Sequence, residues 1–460
     1  MMMALLLVQQ LLFGQLQDST LVAVWFTKAD QTQLLQRQAP IYFSSRSGLG
    51  TEGIVVNDAS SYQPIRGLGF ALTGGSAYHI MKMGARERAI LLQELFGRGD
   101  HSIGISYLRI SIGASDLDPE VFSYDDLPPQ ETDENLVHFQ LGRDTLYLLP
   151  LLREILSIDP ELNIMASPWS APVWMKSNRQ SKGGRLLRNY YSTYAQYFVK
   201  YILSMRQQGI PIDAITPQNE PLHPGNNPSM YMEAEEQRDF IKDYLGPAFS
   251  TAGLATKIVV YDHNCNRPDY PITILNDSLA RTYVAGSAFH LYEGDILVLT
   301  KVKDSHPDKD LYFTEQWTGA KGSFREDLLW HTKNVVIGAL RNWSTCVLEW
   351  NLASDEHFEP HTPGGCTECK GALTITGNRI QKNVSYYIIA HASKFLPRGS
   401  VRIHSSPETD FPQVVFRTPE GRTVMLLLNE KEAAADLQIF FRNQQATLHM
   451  PSSCVATLVW

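Results

Sequence analysis

The sequence predicts an α/β protein: a (β/α)8 TIM barrel with an attached β-sandwich built from both chain termini. Three observations lead there. Between Ile65 and Leu396, short apolar runs alternate with longer stretches whose apolar residues recur at helical spacing. After Leu396 only short alternating runs remain, separated by turn residues. Two similar runs, Leu21–Phe26 and Pro40–Phe43, precede the barrel and would expose bare edges unless they paired with the carboxy-terminal strands.

The barrel strands read, in order, as Ile65–Gly74, Ser106–Gly113, Leu162–Ser167, Asp213–Thr216, Lys257–Asp262, Gly286–Tyr292, Asp310–Thr314 and Thr345–Trp350. Helices are predicted between them, clearest over Arg86–Phe96, Tyr190–Met205 and Leu328–Leu340. An open doubly wound sheet is the alternative, but no glycine-rich phosphate loop follows an early strand. The sandwich runs are Val414–Arg417, Thr423–Leu428, Ala435–Phe441, Ala446–His449 and Ala456–Trp460. The expected division is a candidate signal peptide over 1–16, amino-terminal sandwich strands in 17–62, the barrel over 63–396 and the sandwich over 397–460.

Composition removes several function classes. The 460 residues are 43% hydrophobic and 19% charged, too apolar for a disordered chain. A net charge of −8 argues against a nucleic-acid partner, which calls for a basic face. No apolar run is long enough to span a membrane. Ala4–Phe13 is mostly apolar but lacks a basic flank, and the expectation is export: secreted, periplasmic or cell-surface. Cys366 and Cys369 form a lone Cys-x-x-Cys, better suited to a loop disulfide in an exported protein than to zinc, with two free thiols as the plainer reading.

A barrel of this type carries its active site at the carboxyl ends of its strands. Those ends read Arg109 to Asp116, Ser167-Pro168-Trp169, Asn219-Glu220-Pro221, Asp262-His263-Asn264, His290-Leu291-Tyr292, Thr314-Glu315-Gln316-Trp317 and Glu349-Trp350-Asn351. Glu220 and Glu315 end strands on roughly opposite sides, amid tryptophans. Two such carboxylates suit hydrolysis of a glycosidic bond, one as acid and base, the other as nucleophile or water activator. A single strand-end glutamate is more often a structural ion pair; two within an aromatic ring are not. His263 and His290 are the only strand-end histidines and neither belongs to a His-x-His pair, so no metal and no organic cofactor is expected.

Thr216-Pro217-Gln218-Asn219-Glu220-Pro221 and Leu311-Tyr312-Phe313-Thr314-Glu315-Gln316 resemble the two catalytic segments of glycoside hydrolase family 30. Leu108-Arg109-Ile110-Ser111, Ala166-Ser167-Pro168-Trp169, Ala288-Phe289-His290 and Leu348-Glu349-Trp350-Asn351 are similar to the family in the same order. The resemblance implies a retaining β-glycoside hydrolase with Glu220 as acid/base and Glu315 as nucleophile, their carboxyls about 5–5.5 Å apart. It also implies that the Glu315 charge raises the pKa of Glu220. Arg109, Asp116, Trp169, Asn219, His290, Tyr292 and Trp350 would be substrate-binding: Asn219 for the sugar 2-hydroxyl, Arg109 to orient a carboxylate, Asp116 and Trp169 for outer hydroxyls, Trp350 as the floor of the first subsite. Were either carboxylate missing, a non-catalytic carbohydrate-binding protein would be the reading; both are present.

The implied substrate is a β-linked glucan or β-glucoside. Leu291 stands where lysosomal glucosylceramidases have tryptophan, and Gly364-Gly365-Cys366 with Cys369 to Ile375 resembles the β-1,6-glucanase branch. The expectation is therefore a β-1,6-glucan, acted on in endo-β-1,6-glucanase fashion, with glucosylceramide-type substrates second.

Overall fold

The computed structural model describes residues 20–46, 53–406 and 410–460; the candidate signal peptide lies outside them. Eight parallel strands close into a barrel, numbered here β1 Gly67–Ala71, β2 Tyr107–Ser111, β3 Asn163–Ser167, β4 Ala214–Ile215, β5 Lys257–Cys265, β6 Val284–Gly294, β7 Asp310–Glu315 and β8 Ser344–Asn351. Each pairs with the next, and β8 closes on β1 with Leu348 opposite Gly69. Every predicted barrel strand is present. The first is shorter than expected because Thr73 leaves the strand to cap the helix Gly74–Lys82, its hydroxyl accepting from Ser76 N at 3.0 Å.

Strand side chains alternate between two cores. Tyr107, Met165, Val259, Tyr312 and Leu348 fill the barrel interior as a plug beneath the mouth. Outward residues such as Leu108, Ile164, Val260 and Phe313 meet the helical ring. There the helix Ala85–Phe96 buries Leu91, Leu92, Leu95 and Phe96, and Tyr191–Gln207 buries a largely aromatic stripe. The predicted helix over Leu328–Leu340 runs from Phe324 to Arg341 and contains a π-helical stretch, His331–Ile337.

The sandwich is built from both chain ends. Leu21–Lys28 pairs antiparallel with Cys454–Val459, which pairs on its other side with Thr423–Asn429. Val22, Val24, Ile403, Met425 and Leu458 share its core. Four of its strands were not predicted: the two-residue pieces Gln36–Arg37 and Ser44–Ser45, and two longer ones. Ile54–Pro64 has a polar middle, yet bridges Val401–Ser405 and Ala435–Phe441. Val401–Ser405 carries Arg402 and His404 on either side of Ile403. The sandwich locks onto the barrel through His391, wholly buried on the helix Val384–Ser393, whose ring nitrogens meet Thr457 Oγ1 and Thr27 Oγ1, each at 2.8 Å. Among the described residues no helix is long and apolar enough to cross a membrane.

Candidate active site

Arg109, on β2, is the centre of the barrel mouth. Its wholly buried guanidinium donates Nη1 to Glu315 Oε2 at 2.5 Å, and Nη2 to Asn219 Oδ1 at 2.6 Å and Asp262 Oδ2 at 2.7 Å. The cation also packs against the Trp169 ring at 4.9 Å. Burial disfavours its charge, but the Asp262 and Glu315 carboxylates hold its pKa above the ordinary arginine value.

Asp262 ends up as the most heavily bonded carboxylate of the mouth. Besides Arg109 it accepts from Thr216 Oγ1 (2.7 Å), Ser167 Oγ (3.1 Å) and Thr314 Oγ1 (2.7 Å), and meets His290 Nε2 at 3.1 Å. Despite burial, these partners hold its pKa far below the carboxylate range, Arg109 most of all. Sequence reasoning placed it at a strand end and gave it no role; its only signal was an acidic residue where β5 meets the rim.

The backbone here is bent to purpose. Glu220, Tyr261 and Asp262 have φ of 44°, 76° and 64°, a left-handed region costing about 1–3 kcal/mol per non-glycine residue. Hydrogen bonds over-determine the turn: Asn219 N donates to Pro168 O, Glu220 N to Asp262 O, and the Gln218 amide to Trp169 O. They aim Glu220 across the hollow toward Glu315, the last residue of β7. Glu315 Oε1 accepts from Tyr292 OH at 2.9 Å. One carboxylate oxygen of Glu220, one of Glu315 and a ring nitrogen of His290 all lie within 4.8 Å of one another.

His290 has no exposed surface; Nδ1 meets Glu220 Oε1 at 3.2 Å and Nε2 meets Asp262. Burial opposes its protonation, yet Glu315, Asp262 and Glu220 raise its pKa to about 9. The imidazolium in turn outweighs burial at Glu220 and holds that carboxyl low, at about 2. Glu315 is the carboxyl that is raised, by burial and by the Glu220 charge, against the pull of His290 and Arg109. The expectation that Glu315 raises Glu220 left out His290, whose Nδ1 lies 3.2 Å from Glu220 and 3.7 Å from Glu315 and pulls Glu220 the other way.

The hollow above these groups has a volume of about 370 Å³. Of the residues singled out by sequence, Asp116, Trp169, Glu220, Tyr292, Glu315 and Trp350 line it; Arg109 and His290 lie behind that lining, bonded to Glu315 and Glu220, and Asn219 lies behind it bonded to Arg109. Trp169 and Trp350 form one wall, ring centroids 5.4 Å apart, and Trp317, His223, His263 and Asn264 add to the rim. Cys366 and Cys369 form a disulfide on the same rim. Cys366 N donates to Asp116 Oδ2 at 3.3 Å, and a Cβ on Gly365 would lie 2.4 Å from Asp116 O, so only glycine permits this approach. Burial, then the Glu315 and Glu220 charges, push Asp116 up to about 7. Glu349, beside Trp350, points the other way and is taken by His331 Nδ1 at 2.7 Å, as strand alternation requires. Glu220, Glu315 and His290 offer ligand atoms for a cation, but Glu315 is already paired with the Arg109 guanidinium and Glu220 with the His290 ring.

The glycosyl hydrolase family 30 TIM-barrel domain model matches residues 65–396, and the family's β-sandwich domain model matches 399–458. The chain belongs to glycosyl hydrolase family 30. Within the family it is 33% identical to an endo-1,6-β-D-glucanase of Trichoderma harzianum, covering 94% of this chain and 91% of that one. It is 37% identical to an endo-1,6-β-D-glucanase of Neurospora crassa, over 78% of each. The solved structure of the endo-β1,6-glucanase BT3312 superposes with a TM-score of 0.87 at 35% identity, covering 95% and 99% of the two chains.

Proposed function

We propose that this family 30 hydrolase cleaves β-1,6-glucan with retention of anomeric configuration, by double displacement between Glu315 and Glu220. The observation that carries the reading is the approach of the two carboxylates within 4.8 Å. Retaining pairs stand about 5–5.5 Å apart, whereas inverting pairs need about 6.5–9.5 Å to admit a water. The two fungal relatives and BT3312, all named as β-1,6-glucanases, support the linkage.

Glu315 is built to be the nucleophile. Arg109 and Tyr292 each donate to one of its oxygens, so the ionised form satisfies both donors. Glu220 has a single ring partner, and the His290–Glu220 pair holds one proton. As a glycosidic oxygen approaches Glu220, that proton passes from Nδ1 to the carboxyl and on to the leaving oxygen, while Glu315 bonds to the anomeric carbon. Glu220 then takes a proton from water, which displaces Glu315 and releases the sugar. Arg109 fixes the Asn219 amide by its oxygen, leaving its NH2 to donate to a sugar 2-hydroxyl. The Trp169–Trp350 wall suits the C–H face of a β-glucosyl ring. We further propose export, consistent with a disulfide on the rim.

The test is a substrate panel with product sizes recorded: β-1,6-glucan, gentio-oligosaccharides, laminarin, xylan and glucosylceramide. Turnover highest on β-1,6-glucan, with oligomeric products, is expected. Turnover on glucosylceramide alone contradicts the linkage. In Glu220→Ala, azide should restore turnover of an activated aryl glucoside, and no rescue contradicts the acid/base role.

A further inference from the structure

A second cluster of ionisable groups lies in the rim segment that follows β2. This segment carries Asp116 to the hollow and then runs on to the 3-10 turn Gly142–Thr145 without regular structure. It folds Asp125, Asp133 and His138 together: one carboxylate oxygen from each aspartate and one ring nitrogen of His138 lie within 4.8 Å of one another. Asp133 is satisfied within the segment, accepting from the His138 backbone N–H at 2.7 Å and meeting its Nδ1 at 3.0 Å.

Asp125 is not. It is 1% exposed, and neither of its carboxylate oxygens has a hydrogen-bond partner among the described residues. A buried, unpaired carboxylate beside a second one is costly, and such groups are normally paired or bound to a metal. Lys200, the nearby cation, spends its ammonium on Leu136 O at 2.6 Å and Asn135 O at 3.4 Å. No cation pairs directly with either Asp125 oxygen among the described residues.

We propose that Asp125, Asp133 and His138 bind a divalent cation. Two carboxylates with one imidazole make a mixed oxygen and nitrogen set. That set suits Mn²⁺ or Zn²⁺ rather than Ca²⁺, which takes oxygen ligands. His138, whose side chain is 67% exposed, gives the ion a path in and leaves room for water on the remaining positions. Binding frees the His138 ring from its contact with Asp133 and turns a nitrogen lone pair to the metal. The cation ties Asp125, Asp133 and His138 of the rim segment to one another, next to the point where Asp125 O accepts the Trp174 indole N–H at 3.0 Å. No catalytic step runs through it.

The experiment strips the purified full chain with chelator and titrates it with Mn²⁺ or Zn²⁺, reading stoichiometry and Tm. One ion per chain is expected, with a Tm that rises as the ion exceeds its Kd. Asp125→Asn and His138→Ala should lose both signals. Glu315→Gln should keep both, which separates this site from the catalytic carboxylates. The proposal is overturned by no binding at millimolar metal, by binding that survives Asp125→Asn, or by binding lost in Glu315→Gln. It is also overturned if Asp125→Asn raises the Tm of the stripped chain while the unaltered chain ignores metal, since Asp125 is then simply a neutral acid.

Discussion

Two wholly buried histidines mark two regions built on opposite terms. At the barrel–sandwich joint, His391 touches only the hydroxyls of Thr27 and Thr457, and burial lowers its pKa to about 3. At the mouth, His290 lies against Glu220 and Asp262 with Glu315 close by, and its pKa rises to about 9. Equal burial thus yields a neutral ring in one place and a cation in the other. The joint is closed by neutral groups that satisfy one another. The mouth gathers Asp262, Glu220 and Glu315 around only two cations, on backbone held at positive φ. That surplus of negative charge is what a site needs when it must move a proton.

The sharpest way to break this contrast is Glu315→Gln. Turnover should fall by at least about 10⁴-fold, ~5.5 kcal/mol of barrier, with Tm little changed. Next, Asp262→Asn removes the charge that anchors Arg109 and His290. Denaturant unfolding should show a loss of about 3–5 kcal/mol, together with a fall in kcat. The pH dependence of stability should then divide the two regions by sign. The raised His290 pKa contributes stability that is complete below pH 6.5 and lost as pH rises through about 9. The lowered His391 pKa contributes stability present above pH 6.5 and lost as pH falls toward about 3. His290→Gln should flatten the alkaline limb and, by releasing the Glu220 carboxyl, also weaken stability on the acid side, whereas His391→Gln should change the acid limb alone. The smallest effect belongs to Thr27→Val, which leaves one ring nitrogen of His391 unpaired. It should cost about 1–3 kcal/mol and leave kcat unchanged.

The barrel was readable because its strands are buried on both faces and appear as unbroken apolar runs, and because chemistry collects where such runs end. Glu220 and Glu315 stood out for that reason, and the structure brings them together. The strand Ile54–Pro64 was hidden by its polar middle, whose partners are hundreds of residues away in sequence. Asp262 and the charge on His290 were hidden for a related reason. A carboxylate declares itself as an anchor only when five partners from five other strands or their ends converge on it, and no local spacing records that.

The most direct test is the anomeric configuration of the first-formed product, followed by proton NMR during hydrolysis of a β-1,6-linked gluco-oligosaccharide. The Glu220–Glu315 approach predicts that the β-anomer appears first and the α-anomer only later, by mutarotation. An α-anomer at the outset would contradict the double displacement.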